Sequence, residues 1–182
     1  MSLLTSQGNL KSQTITNEVL IDKRTHKIVK YWQKVGFPYI DTAEKFRQDK
    51  FDAFMKVDDM KSLDFNNRSF KFNNAGLALA WSYHPHAFEV QCNNQKSPMD
   101  VFNDYDTFSK GIKKTLKGSF FKKRSFEELM TKNEQTNEMI RTVLRRVSGA
   151  QMVSNFRPVT ASALYKLFCD KNDTVWDMSC GW

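Results

Sequence analysis

The sequence predicts a mainly α-helical chain with a short β component, and three observations carry that prediction. Capping signals precede stretches whose apolar residues recur with helical spacing, at Asp41/Glu44, Ser97/Asp100 and Ser125/Glu128. The 182 residues include 15 Phe and only 4 Pro, so aromatic packing is plentiful and helices have few interruptions. The last stretch runs from a helix-like segment through an Asp/Asn turn to Thr174, Val175 and Trp176, then to Asp177, Ser179 and Gly181. That order is the opening of a nucleotide-type α/β unit, in which a first strand runs into a loop of small residues.

Residues 1–15 are polar, rich in Ser, Thr and Gln, and are expected to form a frayed arm. An amphipathic piece follows over 15–32, anchored by Val19, Leu20, Ile28, Val29 and Trp32, and Gly36-Phe37-Pro38 breaks it. Behind the Asp41/Glu44 capping box, Ala43, Phe46, Phe51 and Phe54 share an arc of about 140° on a helix predicted at 42–56. Core packing is the expected use of that face, since base-stacking platforms lie on strands or open grooves. Residues 64–74 read as turns with a short extended piece, and the alternation in 88–92 predicts a strand. Between them, His84-Pro85-His86 reads as a structural turn rather than a metal site, because the one other histidine is His26.

Ser97 and Pro98 open a helix predicted at 98–117, whose far end is basic. Seven basic residues fall within 110–124, interleaved with Phe120 and Phe121. Lysines at a helix C-terminus are favoured by the helix dipole alone, but seven exceed that need. Lys113, Lys114, Lys117, Lys122, Lys123 and Arg124 are therefore expected to contact nucleic-acid phosphates. Ser125 opens a helix predicted at 125–148, with a stripe of Met139, Ile140, Val143, Leu144 and Val147, and Gly149 supplies its left-handed cap. Arg141, Arg145 and Arg146 either continue the basic surface or pair with Glu134 and Glu138. Pro158 suits the first position of a helix at 158–168, whose expected buried stripe is Ala163, Leu164, Leu167 and Phe168. A strand is expected at 174–177.

The excess of 28 Lys+Arg over 20 Asp+Glu gives a net charge of +8, which points to an anionic partner, nucleic acid first. No apolar run reaches the roughly 18–20 residues of a membrane span, and Met1 to Gln7 has no secretory pattern. Cys92, Cys169 and Cys180 have no metal-ligand spacing and leave one unpaired, so a reduced, cytoplasmic setting is expected.

Val175, Trp176, Asp177, Ser179, Gly181 and Trp182 also fit a motif of two hydrophobic residues, Asp, x, Ser/Ala, x, Gly, Trp, Gly, Gly, Arg, Leu, up to Trp182. This motif belongs to the S-adenosylmethionine-dependent methyltransferases of phage and bacterial DNA-modification type, which the chain resembles over about residues 97–182. Two further segments are similar to phage-borne members: Ser97-Pro98-Met99-Asp100-Val101-Phe102-Asn103-Asp104 and Val153-Ser154-Asn155-Phe156-Arg157-Pro158. The pattern along the chain places a boundary near 93–97, between a mixed α/β region over 1–96 and a basic helical region over 97–148, and the resemblance implies that 149–182 is the start of a Rossmann-like methyltransferase domain, left truncated. Asp177, Ser179 and Gly181 would line the cofactor loop. Phe156 and Arg157 would help contain the methionine end of S-adenosylmethionine, or else Phe156 staples the helix start and Arg157 is exposed.

The family's catalytic loop, Asp/Asn/Ser-Pro-Pro-aromatic, has no counterpart, because Pro38, Pro85, Pro98 and Pro158 are never adjacent. No Cys follows a Pro either, as a carbon-5 cytosine enzyme requires. No catalytic residue is therefore assigned, and no tight cofactor binding or methyl transfer is expected of these residues alone. The expectation is an N-terminal part of a DNA amino-group methyltransferase, with the missing C-terminal half as its partner where the gene is split. The alternative is a non-enzymatic basic module that binds nucleic acid or another partner.

Overall fold

The structure is a computed structural model that describes residues 4–71, 73–92, 94–118, 124–150 and 156–175, with side chains for all of these except 4–16 and 147. In chain order the elements are α1 (Leu4–Val35), α2 (Glu44–Met55), β1 (Leu63–Asp64), β2 (Ser69–Phe70), α3 (Leu77–Ser82), α4 (Pro98–Asn103), α5 (Tyr105–Lys117), α6 (Phe126–Leu129), α7 (Glu134–Thr142) and α8 (Pro158–Phe168). Short 3-10 turns cover Asp59–Ser62 and Pro85–Phe88, and α7 passes into a π turn at Val143–Val147. The chain is therefore mainly helical. Among the described residues its sheet is one antiparallel hairpin, pairing Leu63 with Phe70 and Asp64 with Ser69. The chain divides into two compact units, Met1–Tyr39 with Phe88–Met152, and Ile40–Ala87 with Val153–Trp182.

The first unit is built on α1. Thr25, Ile28, Val29 and Trp32 recur at helical spacing and are buried, and so are Phe108, Ile112, Thr115 and Leu116 of α5. The two helices run antiparallel, since Lys117 of α5 reaches Glu18 while Tyr105 reaches His26. Val101, Phe102, Leu129, Ile140, Val143, Leu144 and Ala150 complete the core. Each large side chain buried in this way contributes about 1.5–3 kcal/mol. Trp32 also donates its indole N–H to the Leu129 carbonyl at 2.8 Å, so burial leaves no orphan donor. Phe37 links this core to Phe88 and Phe102, with ring centroids 5.4 Å away in each case.

Several sequence expectations change here. The polar arm is not frayed where it is described, for α1 is helical from Leu4 onward. Helix formation is costly to nucleate and cheap to extend, so an anchored C-terminal half carries the polar half with it. The helix expected at 98–117 breaks at Asp104, whose extended backbone ends α4 while its carboxylate caps α5 by accepting from Thr107 N–H. The helix expected at 125–148 is likewise interrupted. Asn133, with φ −147°, turns the chain and caps α7 through Thr136 N–H at 2.8 Å. Asn and Asp compete with helix continuation in this way, and periodicity alone does not register it. The Ser97 N-cap and the Ser125/Glu128 capping box form as expected, and the Asp100 carboxylate completes a second box at Ser97. Gly149 closes the π turn with φ 79°, a conformation that favours glycine. The strand expected at 88–92 is absent: a 3-10 turn ends at Phe88, and Cys92 makes a single bridge to Gln95.

In the second unit, Asp41 does not form the expected capping box. Its carboxylate accepts from Ala43 N–H at 2.8 Å, two residues on, and α2 begins at Glu44 without a side-chain cap. The aromatic face of α2 is only partly core, with Phe46 and Phe54 half-buried and Phe51 exposed. Arg47 ties α2 to the end of α3, donating to the Ser82 carbonyl at 2.8 Å and lying 4.2 Å from the Tyr83 ring centroid. The turns and short extended piece expected at 64–74 appear as the β1–β2 hairpin, with Asp64 accepting from Asn67 N–H in its turn. Helix α8 buries Val159, Thr160 and Ala163, whereas Leu167 and Phe168 of the expected stripe are exposed. Ala163 is buried as expected, and the buried face is rotated by about 60° from the one that hydrophobicity alone selects. Of the strand expected at 174–177, Thr174 and Val175 are irregular and the other two positions lie outside the described residues. No described helix is long and apolar enough to cross a membrane.

Candidate cofactor approach and basic surface

Two groups of residues singled out in the sequence can be placed. The first lies at the head of α8. Pro158 occupies the first helical turn, where its missing N–H costs nothing, and Arg157 is the extended residue before it. Arg157 donates through Nη1 to Asn74 Oδ1 at 2.5 Å, which ties the head of the helix to the segment before α3. Gly76 presses against the same point, for a Cβ there would lie 2.8 Å from Pro158 Cβ and 3.0 Å from the Phe54 ring. Phe156 stands beside this anchor with 63% of its surface exposed. Arg157 is half-buried rather than exposed.

Farther along α8, Asp59 fixes the helix to the 3-10 turn at 59–62. Its buried carboxylate accepts from Lys166 Nζ at 2.9 Å and from Ser162 Oγ. Burial opposes ionisation of Asp59, but the hydrogen bonds from Lys166 and Ser162 outweigh it and hold the carboxyl below its ordinary range. The end of the helix carries the exposed Tyr165, Leu167 and Phe168, beside a shallow hollow lined in part by Cys169 and Val175. Asp177, Ser179 and Gly181, the expected cofactor loop, lie outside the described residues. Asn74 and Asp59 were not singled out by sequence reasoning. An Asn in a turn and an Asp before a short polar segment carry no pattern that links them to a helix some 80 to 100 positions away.

The second group is the basic stretch. Lys113 and Lys117 project from α5 towards α1, where Asp22 and Glu18 meet them at 2.5 and 3.1 Å. The hydrogen bond with Asp22 raises the Lys113 pKa above its ordinary value. Lys114 is exposed on the same helix. Arg124 lies 3.8 Å from Glu128, one turn into α6, and Lys122 and Lys123 lie outside the described residues. A phosphate approaching Lys113 or Lys117 must therefore compete with a carboxylate already in place. The open alternative for Arg141 resolves in favour of pairing. It is 5% exposed, meets Glu134 at 2.8 Å, and donates to the Pro38 and Tyr39 carbonyls. It is a buried strut rather than part of a basic face.

His84 and His86 stack edge to face at 5.9 Å, and no group of three His, Cys, Asp or Glu among the described residues is placed to hold a metal ion. Compared with protein-family models, with curated proteins and with solved structures, the chain matches none of them.

Proposed function

We propose that the chain carries the approach to the cofactor site of an S-adenosylmethionine-dependent methyltransferase that acts on nucleic acid, DNA amino groups first, on a Rossmann-like frame entered through α8. The observation that supports this reading most is the exposed Phe156 beside Arg157, at the head of a helix started by Pro158 and anchored by Asn74. Such a pair suits the methionine end of the cofactor. An uncovered ring can be buried against the apolar chain, and a guanidinium with five donors can share itself between Asn74 and a carboxylate. In this reading Asp177 meets the cofactor's positive charge, while Ser179 and Gly181 let loop backbone come close. When bound, the cofactor supplies an activated methyl group; the residues named here bind and orient it.

The test is an NMR titration of the 182-residue protein with S-adenosylmethionine, whose binding is expected to be weak. Shifts should concentrate at Phe156, Arg157, Asp177, Ser179 and Gly181, and should shrink in Phe156→Ala and Arg157→Ala. Absent shifts, or shifts scattered over α1 and α5, would remove the cofactor reading and leave the non-enzymatic basic module.

A further inference from the structure

We infer that the solvent face of α1 is a phosphate-binding ridge for duplex nucleic acid, formed by Lys23, Lys27, Lys30 and Lys34. The inference takes its partner from the nucleic-acid reading above and moves the principal contact surface to a helix that reading did not use. The four lysines are spaced by four, three and four residues, so at 100° per residue they fall within an arc of about 60° and span about 16 Å. All four are exposed, while Thr25, Ile28, Val29 and Trp32 on the opposite face are buried. The ridge is thus held rigid by the core behind it.

Charge decides between this helix and α5. The only acidic residues between positions 17 and 35 are Glu18 and Asp22, and both are engaged by Lys117 and Lys113 of α5. Among the described residues, no ion pair involves Lys23, Lys27, Lys30 or Lys34. Lys30 instead lies 5.7 Å from the Tyr105 ring centroid, a contact that orients the ammonium without neutralising it. The two α5 lysines therefore offset the acids of α1, and the ridge keeps its full charge.

The form of the ridge favours a duplex over other polyanions. Four charges about one helical turn apart along one helix face suit a regular backbone, which presents one phosphate per roughly 3.4 Å of axis on each strand. No exposed large apolar side chain lies between Lys23 and Lys34, so nothing there would enter a membrane's acyl boundary. His26 and Tyr105 occupy each other through a 2.7 Å hydrogen bond and are poorly placed to stack on unpaired bases.

The experiment is fluorescence anisotropy with a short labelled duplex of mixed sequence. Phosphatidylglycerol vesicles and a single strand of the same length serve as comparison arms. If four phosphates are contacted, log affinity should fall with log salt at a slope near −3.6, an affinity loss of about 150-fold from roughly 50 to 200 mM salt. Replacing all four ridge lysines with Gln should remove most of that slope and weaken every duplex sequence alike. Gln keeps helix propensity, so the circular dichroism should not change. Replacing Lys113, Lys114 and Lys117 with Gln should leave most of the slope intact. The inference is overturned if the wild type shows no salt-dependent duplex binding, if the ridge variant keeps the slope, or if the α5 variant is the one that loses it. Ridge-dependent binding to vesicles or single strands in preference to duplex would overturn it equally. Because the cofactor titration reads residues 156–181, failure of the ridge and failure of the cofactor reading remain distinguishable.

Discussion

Asp59 is 3% exposed, and a carboxylate removed from water to that degree is stable only because Lys166 and Ser162 hydrogen-bond to it. Its folded pKa lies below the ordinary 3.8. The ionised group therefore stabilises the fold fully above the unfolded value, and that contribution is lost as pH falls through the lower folded value. Asp59→Asn should cost about 1–3 kcal/mol near neutral pH. The gap to wild type should narrow once pH falls below about 3.8, as urea titrations at neutral and acidic pH would show. A gap that stays constant with pH would assign Asp59 a packing role only. Gly111 poses a different question, one of space. A Cβ there would meet the Ser148 side chain and lie 2.8 Å from Val143 Cγ1. Gly111→Ala should therefore destabilise the first unit by about 1–3 kcal/mol despite the better helix propensity of Ala, as chemical denaturation would measure. A stabilised variant would show that the π turn yields easily.

Among the elements, α1 carries the most weight in its unit, and Trp32 is where it holds α6. Trp32→Phe keeps most of the apolar area but leaves the Leu129 carbonyl without its indole donor, an expected loss of about 1–2 kcal/mol. Trp32→Ala adds a cavity and should cost about 3–5 kcal/mol. If the two substitutions cost the same, the hydrogen bond rather than the volume secures α6. The caps give a second measure. Ser97→Ala removes one half of an intact capping box and should cost about 1 kcal/mol, with the loss read from the denaturation midpoint at unchanged slope. Capping was legible in the sequence wherever Ser preceded an acidic residue by three positions. It was not legible at Asp104 and Asn133, because each sits inside a run of acceptable helical periodicity. There a side chain that both ends one helix and starts the next wins over the period.

At the scale of the whole molecule, the chain has α8 and an exposed Phe156 but no adjacent prolines from which to build an amino-methylating loop. Purified 182-residue protein is therefore expected to transfer no labelled methyl group from S-adenosylmethionine to DNA. Measurable transfer would require a catalytic element of another kind and would sink the assignment of roles made here. The same protein should still bind duplex DNA through α1, since counterion release needs clustered charge and no catalytic loop.

The sequence by itself determined the helical class, the positions of α2 and α8 to within two residues, the starts at Ser97 and Ser125, and the glycine and proline punctuation at Gly149 and Pro158. These follow from local physics: hydrophobic period, caps and backbone restriction act within one or two turns. The lysine period of α1 was also present in the sequence, but its meaning was not, because the acids that neutralise Lys113 and Lys117 lie about 90 to 100 positions earlier. Tertiary structure alone decided which cations are spent in helix–helix pairs and which face water. It likewise decided that α8 buries Val159 and Thr160 beside Ala163 and leaves Leu167 and Phe168 exposed, and that residues 40–87 join 153–182 in one unit while 88–152 join α1 in the other. Each of these depends on which distant segment arrives to cover a surface, and local pattern carries no information about that arrival.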